Sequence, residues 1–225
     1  MRVRVPFKNL TGPVPPARLS DGGAGLLIVD SHRFTLSPDS GYGRMARERG
    51  IFRELSEYYE QLDHVLPNLR RLLAGCRRGG LPVLFTRLVG NPEDPRGVAA
   101  QAKVTGFWTP ELSPDSDFLP DLAPQPGETV LDKTAVSAFA GRDLHERLSD
   151  LRVRHLLVAG VLANGAVELT ARAAADLGYN VVVVADACAA ETWALHTFVM
   201  TTVVGGLIRV RTVEAVLEMV NGRRS

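Results

Sequence analysis

Three features of the chain place residues where α/β proteins do chemistry. Asp30 closes the aliphatic run AGLLIVD, where a carboxylate loses its water unless a cation or hydrogen-bond donors meet it. Lys133 closes a second run, TVLDK, and is one of only three lysines, with Lys8 and Lys103, in a chain whose other basic residues are arginines. The stretch AGVLANGAVELTARAA, residues 159 to 174, leaves an apolar run, turns at Asn164, Gly165 and Ala166, and enters a helix. Backbone N–H groups at such an entrance favour an oxyanion or a carboxylate. An Asp and a Lys paired in a partly dry pocket can exchange protons with a substrate, yet hydrolysis still needs a nucleophile or an activated water. Each feature also has a plainer reading: a capping acid, a snorkelling surface lysine and an ordinary strand-to-helix loop.

Other side chains are weaker candidates for contact with a ligand. His32 follows Asp30 closely, Arg87 ends a strand, and Trp108 lies in a long polar segment beside Phe107. Their bland readings are a helix-entry histidine, a solvated arginine and a loop aromatic packed on the core. His64, His145, His155 and His196 show no H-x-H or H-x-x-x-H pairing, so no metal is expected. Cys188, in VADAC, reads as a small buried hydrophobe.

The elements that must position these residues follow from periodicity. Short apolar runs at 24–30, 81–87, 129–133, 155–160 and 181–187 predict strands, and LIRVR near the end predicts another. Helical spacing predicts helices at 62–80, 143–151, 168–178, 191–204 and over TVEAVLEMV, with a proline in the first that must lie near its first turn or kink it. The alternation implies an α/β fold, a three-layer α/β/α sandwich around a mostly parallel, doubly wound sheet. Ligands in such sheets bind beyond the carboxyl ends of the strands, which selects Asp30, Arg87, Lys133 and the loop 161–166. The Pro- and Gly-rich residues 1–23 read as an extended arm, 24–222 as a single domain, and 88–128 as a long functional loop.

Composition narrows the partners. A net charge of +1 over 225 residues offers no basic face for nucleic acid, and no run is long enough to span a membrane, so a small-molecule substrate is expected. Two cysteines without framework spacing suit a reducing cytoplasm.

Three spaced segments together resemble the isochorismatase-like hydrolase superfamily, also called cysteine hydrolases: LLIVDSHRF, LDKTAVSAFAGRDL and VAGVLANGAVELTARAAADLGYNVVVVADACA. The likeness spans most of 24–218 and leaves the arm and the segment from Ser37 to Tyr59 unexplained. It implies the same sandwich, no cofactor, a homo-oligomer (dimer or tetramer), and an Asp, Lys and Cys triad acting on amide bonds. Asp30 would then be the general base and Lys133 would steady charge. The family loop G-V-x-T-[ND]-x-C-V-E falls on Gly160 through Glu168, which sets the catalytic Cys on Ala166. The likeness further implies a cis peptide between Val161 and Leu162, and an oxyanion hole of the Leu162 and Ala166 N–H groups, with Asn164 at the substrate.

An alanine methyl cannot attack a carbonyl, so covalent amide chemistry is expected to be lost. Three explanations stay open. The chain is an amide or ureido hydrolase with Cys replaced by Ala, inactive or substrate-trapping, as Glu168, Thr170 and Arg172 favour. It is instead a Cys-independent vinyl-ether hydrolase of the isochorismatase type, as Ala163, the SAF run and the Phe107–Trp108 pair favour. Or it binds a ligand without hydrolysing it. The first is the working reading.

Overall fold

The computed structural model describes Leu19 and residues 22–91, 93–94, 97–140 and 143–222. In chain order the elements are β1 (Ala24–Val29), α1 (Arg33–Leu36), α2 (Gly41–Glu48), α3 (Ser56–Arg78), β2 (Val83–Gly90), α4 (Ala100–Thr105), β3 (Thr109–Pro110), β4 (Thr129–Lys133), α5 (Asp143–Asp150), β5 (His155–Val161), α6 (Glu168–Asp176), β6 (Asn180–Ala189), α7 (Trp193–Phe198), β7 (Arg209–Arg211) and α8 (Val213–Asn221). The seven strands form one sheet in the order β3-β2-β1-β5-β6-β7, with β4 also paired to β2, and every pairing is parallel.

Parallel strands covered by helices on both faces must be apolar on both, and all residues of β1 and β5 are buried. From β1 the chain winds outward to β2 and β4, then returns to the other side of β1 as β5 and winds outward to β6 and β7. Right-handed crossovers in opposite directions put the connecting helices on opposite faces, and the reversal leaves a crevice between the ends of β1 and β5. Asp30 follows β1 there, and the loop after β5 begins there.

Several boundaries differ from the sequence expectation. Helix α3 begins at Ser56, not near 62, so Pro67 sits inside it rather than near its first turn. The long segment after β2 is less bare than expected, holding α4, β3 and short 3₁₀ turns at Pro114–Ser116 and Pro120–Leu122. The helix expected at 191–204 divides into α7 and a π-helical turn at Val199–Val203. Of the arm, Leu19 is buried with the core, and residues 1–18, 20 and 21 lie outside the described residues. Among the described residues no helix is long and apolar enough to cross a membrane.

Candidate active site

The apolar run of β1 ends at Asp30, whose backbone lies in the left-handed region at φ 47°. Asp tolerates that region better than most side chains. The Asp30 carboxylate is only 1% exposed, and its desolvation is met by two donors. Lys133 Nζ donates to Oδ2 at 2.7 Å, and Thr86 Oγ1 donates to Oδ1 at 2.7 Å. The Asp30 N–H donates in turn to Thr86 Oγ1 at 3.1 Å. Lys133 spends its other two N–H bonds on the carbonyls of Ala135 and Val136, at 3.0 and 3.1 Å. All three donors of the ammonium are therefore committed, which fixes it against the carboxylate.

The loop after β5 contributes the facing wall. The peptide between Val161 and Leu162 is cis, and Ala163–Val167 forms a π-helical turn before α6, with Asn164 off helical geometry at φ −85° and ψ 21°. Leu162, Asn164, Gly165 and Ala166 line a pocket of about 300 Å³ together with Asp30. Asn164 Nδ2 donates to the Glu191 carboxylate at 3.0 Å, and Glu191 lines the same pocket. Lys133 lines an adjoining cavity of about 340 Å³, which shares Ala99, Thr134 and Ala135 with the first.

Three expected ligand contacts do not line this pocket. His32 is completely buried, its Nδ1–H donating to the Asp30 carbonyl at 3.1 Å, while Nε2 has no partner among the described residues. Arg87 is registered beside Asp132 on β4 and binds that carboxylate through two bonds of 2.7 and 2.8 Å, with a third to the Ser116 carbonyl. Successive strand residues face opposite ways, so its neighbour Thr86 turns to Asp30 instead. Trp108 is replaced at the pocket by its neighbour Phe107.

Tyr42, Phe107 and Glu191 are pocket residues that the sequence reading did not select. Tyr42 stands on α2, in the stretch the family resemblance leaves unexplained. Gly41 and Gly43 flank it, and a Cβ on either would overlap the backbone of Phe34 or Pro38, so glycine lets α2 lie directly on the chain that follows Asp30. The buried Asp115 carboxylate holds the start of α2, accepting from the Gly41 N–H at 3.2 Å and from Arg44 at 2.8 Å.

His32 gives the site a pH signature. Burial, outweighing the nearby Asp30 charge, lowers its pKa from 6.5 to about 4, because a proton on Nε2 would meet no acceptor. The folded value lies below the unfolded one, so the stability it contributes is complete above pH 6.5 and is lost as pH falls toward 4. The loss expected from this residue is roughly 3 kcal/mol. Urea unfolding at stepped pH should show it, and His32→Asn should flatten that part of the curve. An unchanged slope in the variant would rule it out.

Among the described residues no group of three or more His, Cys, Asp or Glu side chains is arranged to hold a metal ion. The sequence matches the isochorismatase domain over residues 48–215. It is 27% identical over 199 residues to ureidoacrylate amidohydrolase RutB of Pseudomonas syringae pv. syringae, covering 81% of this chain and 77% of that protein. It is 30% identical over 130 residues to N-carbamoylsarcosine amidase of an Arthrobacter species, covering 54% of this chain and 48% of that one. The crystal structure of a cysteine hydrolase from Pseudomonas syringae pv. phaseolicola superposes with a TM-score of 0.79 at 19% identity, over 95% of this chain and 99% of that one, which shows the fold. With a domain match that spans most of its length, the chain belongs to the isochorismatase family of hydrolases.

Proposed function

We propose that the pocket is a carbon–nitrogen hydrolase site for a small amide or ureido compound, in which Ala166 stands where the nucleophilic thiol is required. The observation that carries this reading is the charge of the pocket. Its lining holds the carboxylates of Asp30 and Glu191 and, among the described residues, no Arg, Lys or His. An amide is accepted in such surroundings, whereas isochorismate, with two carboxylates, would find no cation in the lining, the nearby Lys133 being already paired with Asp30. The similarity to RutB and to N-carbamoylsarcosine amidase supports the same bond type.

With a thiol at 166, Asp30 takes the sulfur's proton, and the thiolate adds to the carbonyl. The Leu162 and Ala166 N–H groups meet the resulting oxyanion. Collapse expels the amine, which takes the proton back from Asp30, and water then cleaves the thioester. With alanine there the first step has no attacking atom, and the chain binds its amide unchanged. The exposed Trp193, Leu195 and Phe198 of α7, close in sequence to Glu191, support a homo-oligomer that covers this side of the molecule.

Ala166→Cys tests the reading. Over a panel of small amides the variant should release ammonia at least about a hundredfold faster than the unmodified chain. A second reading, vinyl-ether hydrolysis with Asp30 as the acid, is favoured by the absence of any thiol or hydroxyl along Leu162–Val167. Turnover of isochorismate by the unmodified chain, with no ammonia from any amide by the variant, would replace the first reading with the second. Binding without turnover in both forms would leave a ligand-binding protein.

A further inference from the structure

The pocket lining holds aromatic and acidic groups that amide chemistry does not use. In that lining the Tyr42 and Phe107 rings meet edge to face with centroids 5.1 Å apart, and the Phe34 ring packs edge-on against Tyr42 at 5.2 Å. Glu191 joins them at the wall, its carboxylate held by the neutral amide of Asn164 at 3.0 Å. Among the described residues Glu191 forms no ion pair, whereas Asp30 is balanced by Lys133 at 2.7 Å. The lining therefore holds, with two aromatic rings, one solvent-exposed carboxylate that no cation pairs among the described residues. Burial first, then the charges of Asp30 and Glu191, raise the Tyr42 phenol above its ordinary value, so the ring stays neutral at any physiological pH.

Aromatic rings and a carboxylate in one pocket lining are the chemistry that recognises an organic cation. The ring quadrupoles attract positive charge, and a quaternary or substituted ammonium gives up its weak hydration at little cost. Neutral substrates gain only contact area here, and anions are repelled by Glu191. We infer that the substrate is a small amide that also carries an ammonium group, with the cation seated against Tyr42, Phe107 and Glu191 and the amide directed to Asp30 and Ala166. The amide half of this inference rests on the carbon–nitrogen reading above; the cation half rests only on the pocket wall. The wall also gives α2 a purpose: the Gly41–Tyr42–Gly43 contact that brings it against the chain after Asp30 sets an aromatic ring at the site.

Three compounds of similar size separate the possibilities in calorimetric titrations of the unmodified chain, which binds without consuming them. Betaine amide carries a trimethylammonium group, 3,3-dimethylbutanamide is its uncharged isostere, and malonamate is an anionic amide. Betaine amide should bind about tenfold more tightly than the isostere, and malonamate most weakly. Glu191→Gln keeps the acceptor for Asn164 and removes the charge, and should abolish most of that preference. Equal or tighter binding of the uncharged isostere, absence of saturable betaine amide binding, or a preference undiminished in Glu191→Gln would overturn the inference. The Ala166→Cys chain keeps the two readings apart. Ammonia released without preference for the cationic amide would sink the cation assignment alone, and a cation preference in binding with no ammonia from any amide would sink the carbon–nitrogen reading alone.

Discussion

Replacing Lys133 by methionine is expected to cost about 3–5 kcal/mol of folding stability, far more than the loss of a surface lysine. The Asp30 carboxylate is 1% exposed and the Lys133 side chain 10%, so neither charge regains water when the other is removed. In Lys133→Met the carboxylate keeps only the Thr86 hydroxyl among the described residues, and the carbonyls of Ala135 and Val136 lose their shared donor as well. Asp30→Asn with Lys133→Met removes both charges, and should be more stable than the sum of the two single changes by at least about 1 kcal/mol. Chemical denaturation of the four chains gives that coupling directly. A loss under about 1 kcal/mol for Lys133→Met would return Lys133 to the role of a snorkelling surface residue. The same substitution made in the Ala166→Cys chain should remove its ammonia release, since Asp30 would lose the ammonium that holds it in place.

How far the site was legible in the sequence depended on whether each residue's position follows from its own element. Asp30 and Lys133 close apolar runs, and the parallel order of the strands carries both to the same end of the sheet, so end-of-strand reasoning brings together two side chains that lie 2.7 Å apart. The loop 161–166 was legible for the same reason. Arg87 failed by one residue: strand parity, set by the β2 and β4 pairing, turns it to Asp132 and leaves Thr86 for Asp30. Trp108 failed by one residue in the same direction, and a segment without regular periodicity offers no parity by which to choose between it and Phe107. Tyr42 had no local signal at all. Its place at the pocket comes from two glycines against a neighbouring backbone and from Asp115, 74 residues beyond the Gly41 it holds, both tertiary facts.

The fold was legible in its strands and less so in its helix ends. Ser56–Gln61 looks polar, yet Tyr58 and Gln61 are buried, and Gln61 is satisfied by exchanging hydrogen bonds with the Ala190 backbone just past β6, at 2.9 and 3.1 Å. A buried amide with both ends paired costs little, and hydrophobic spacing cannot register it. That is why α3 begins a turn and a half earlier than apolar periodicity indicates, and why Pro67 falls in its interior.

Gly160→Ala should be as damaging as the loss of Lys133, at about 3–5 kcal/mol, although it adds a single methyl group. Gly160 is the penultimate residue of β5, paired with Val29 of β1, and its φ of 122° is a conformation that side chains rarely adopt. A Cβ there would overlap the Val29 carbonyl oxygen, a backbone atom with no rotamer by which to withdraw. Relief requires either a new backbone conformation at 160 or separation of the two central strands, and both act where Asp30 and the 161–166 loop leave the sheet. The damage should therefore show twice. Denaturation should report the stability loss, and titration with a small amide should report weakened binding even under conditions where the variant stays folded. A folded variant with unchanged affinity would mean that the junction of β1 and β5 does not set the distance across the site. The glycine and the site are connected through one physical constraint: the crevice exists because the chain reverses between β1 and β5, and at its base the Val29 carbonyl lies where a side chain on residue 160 would stand.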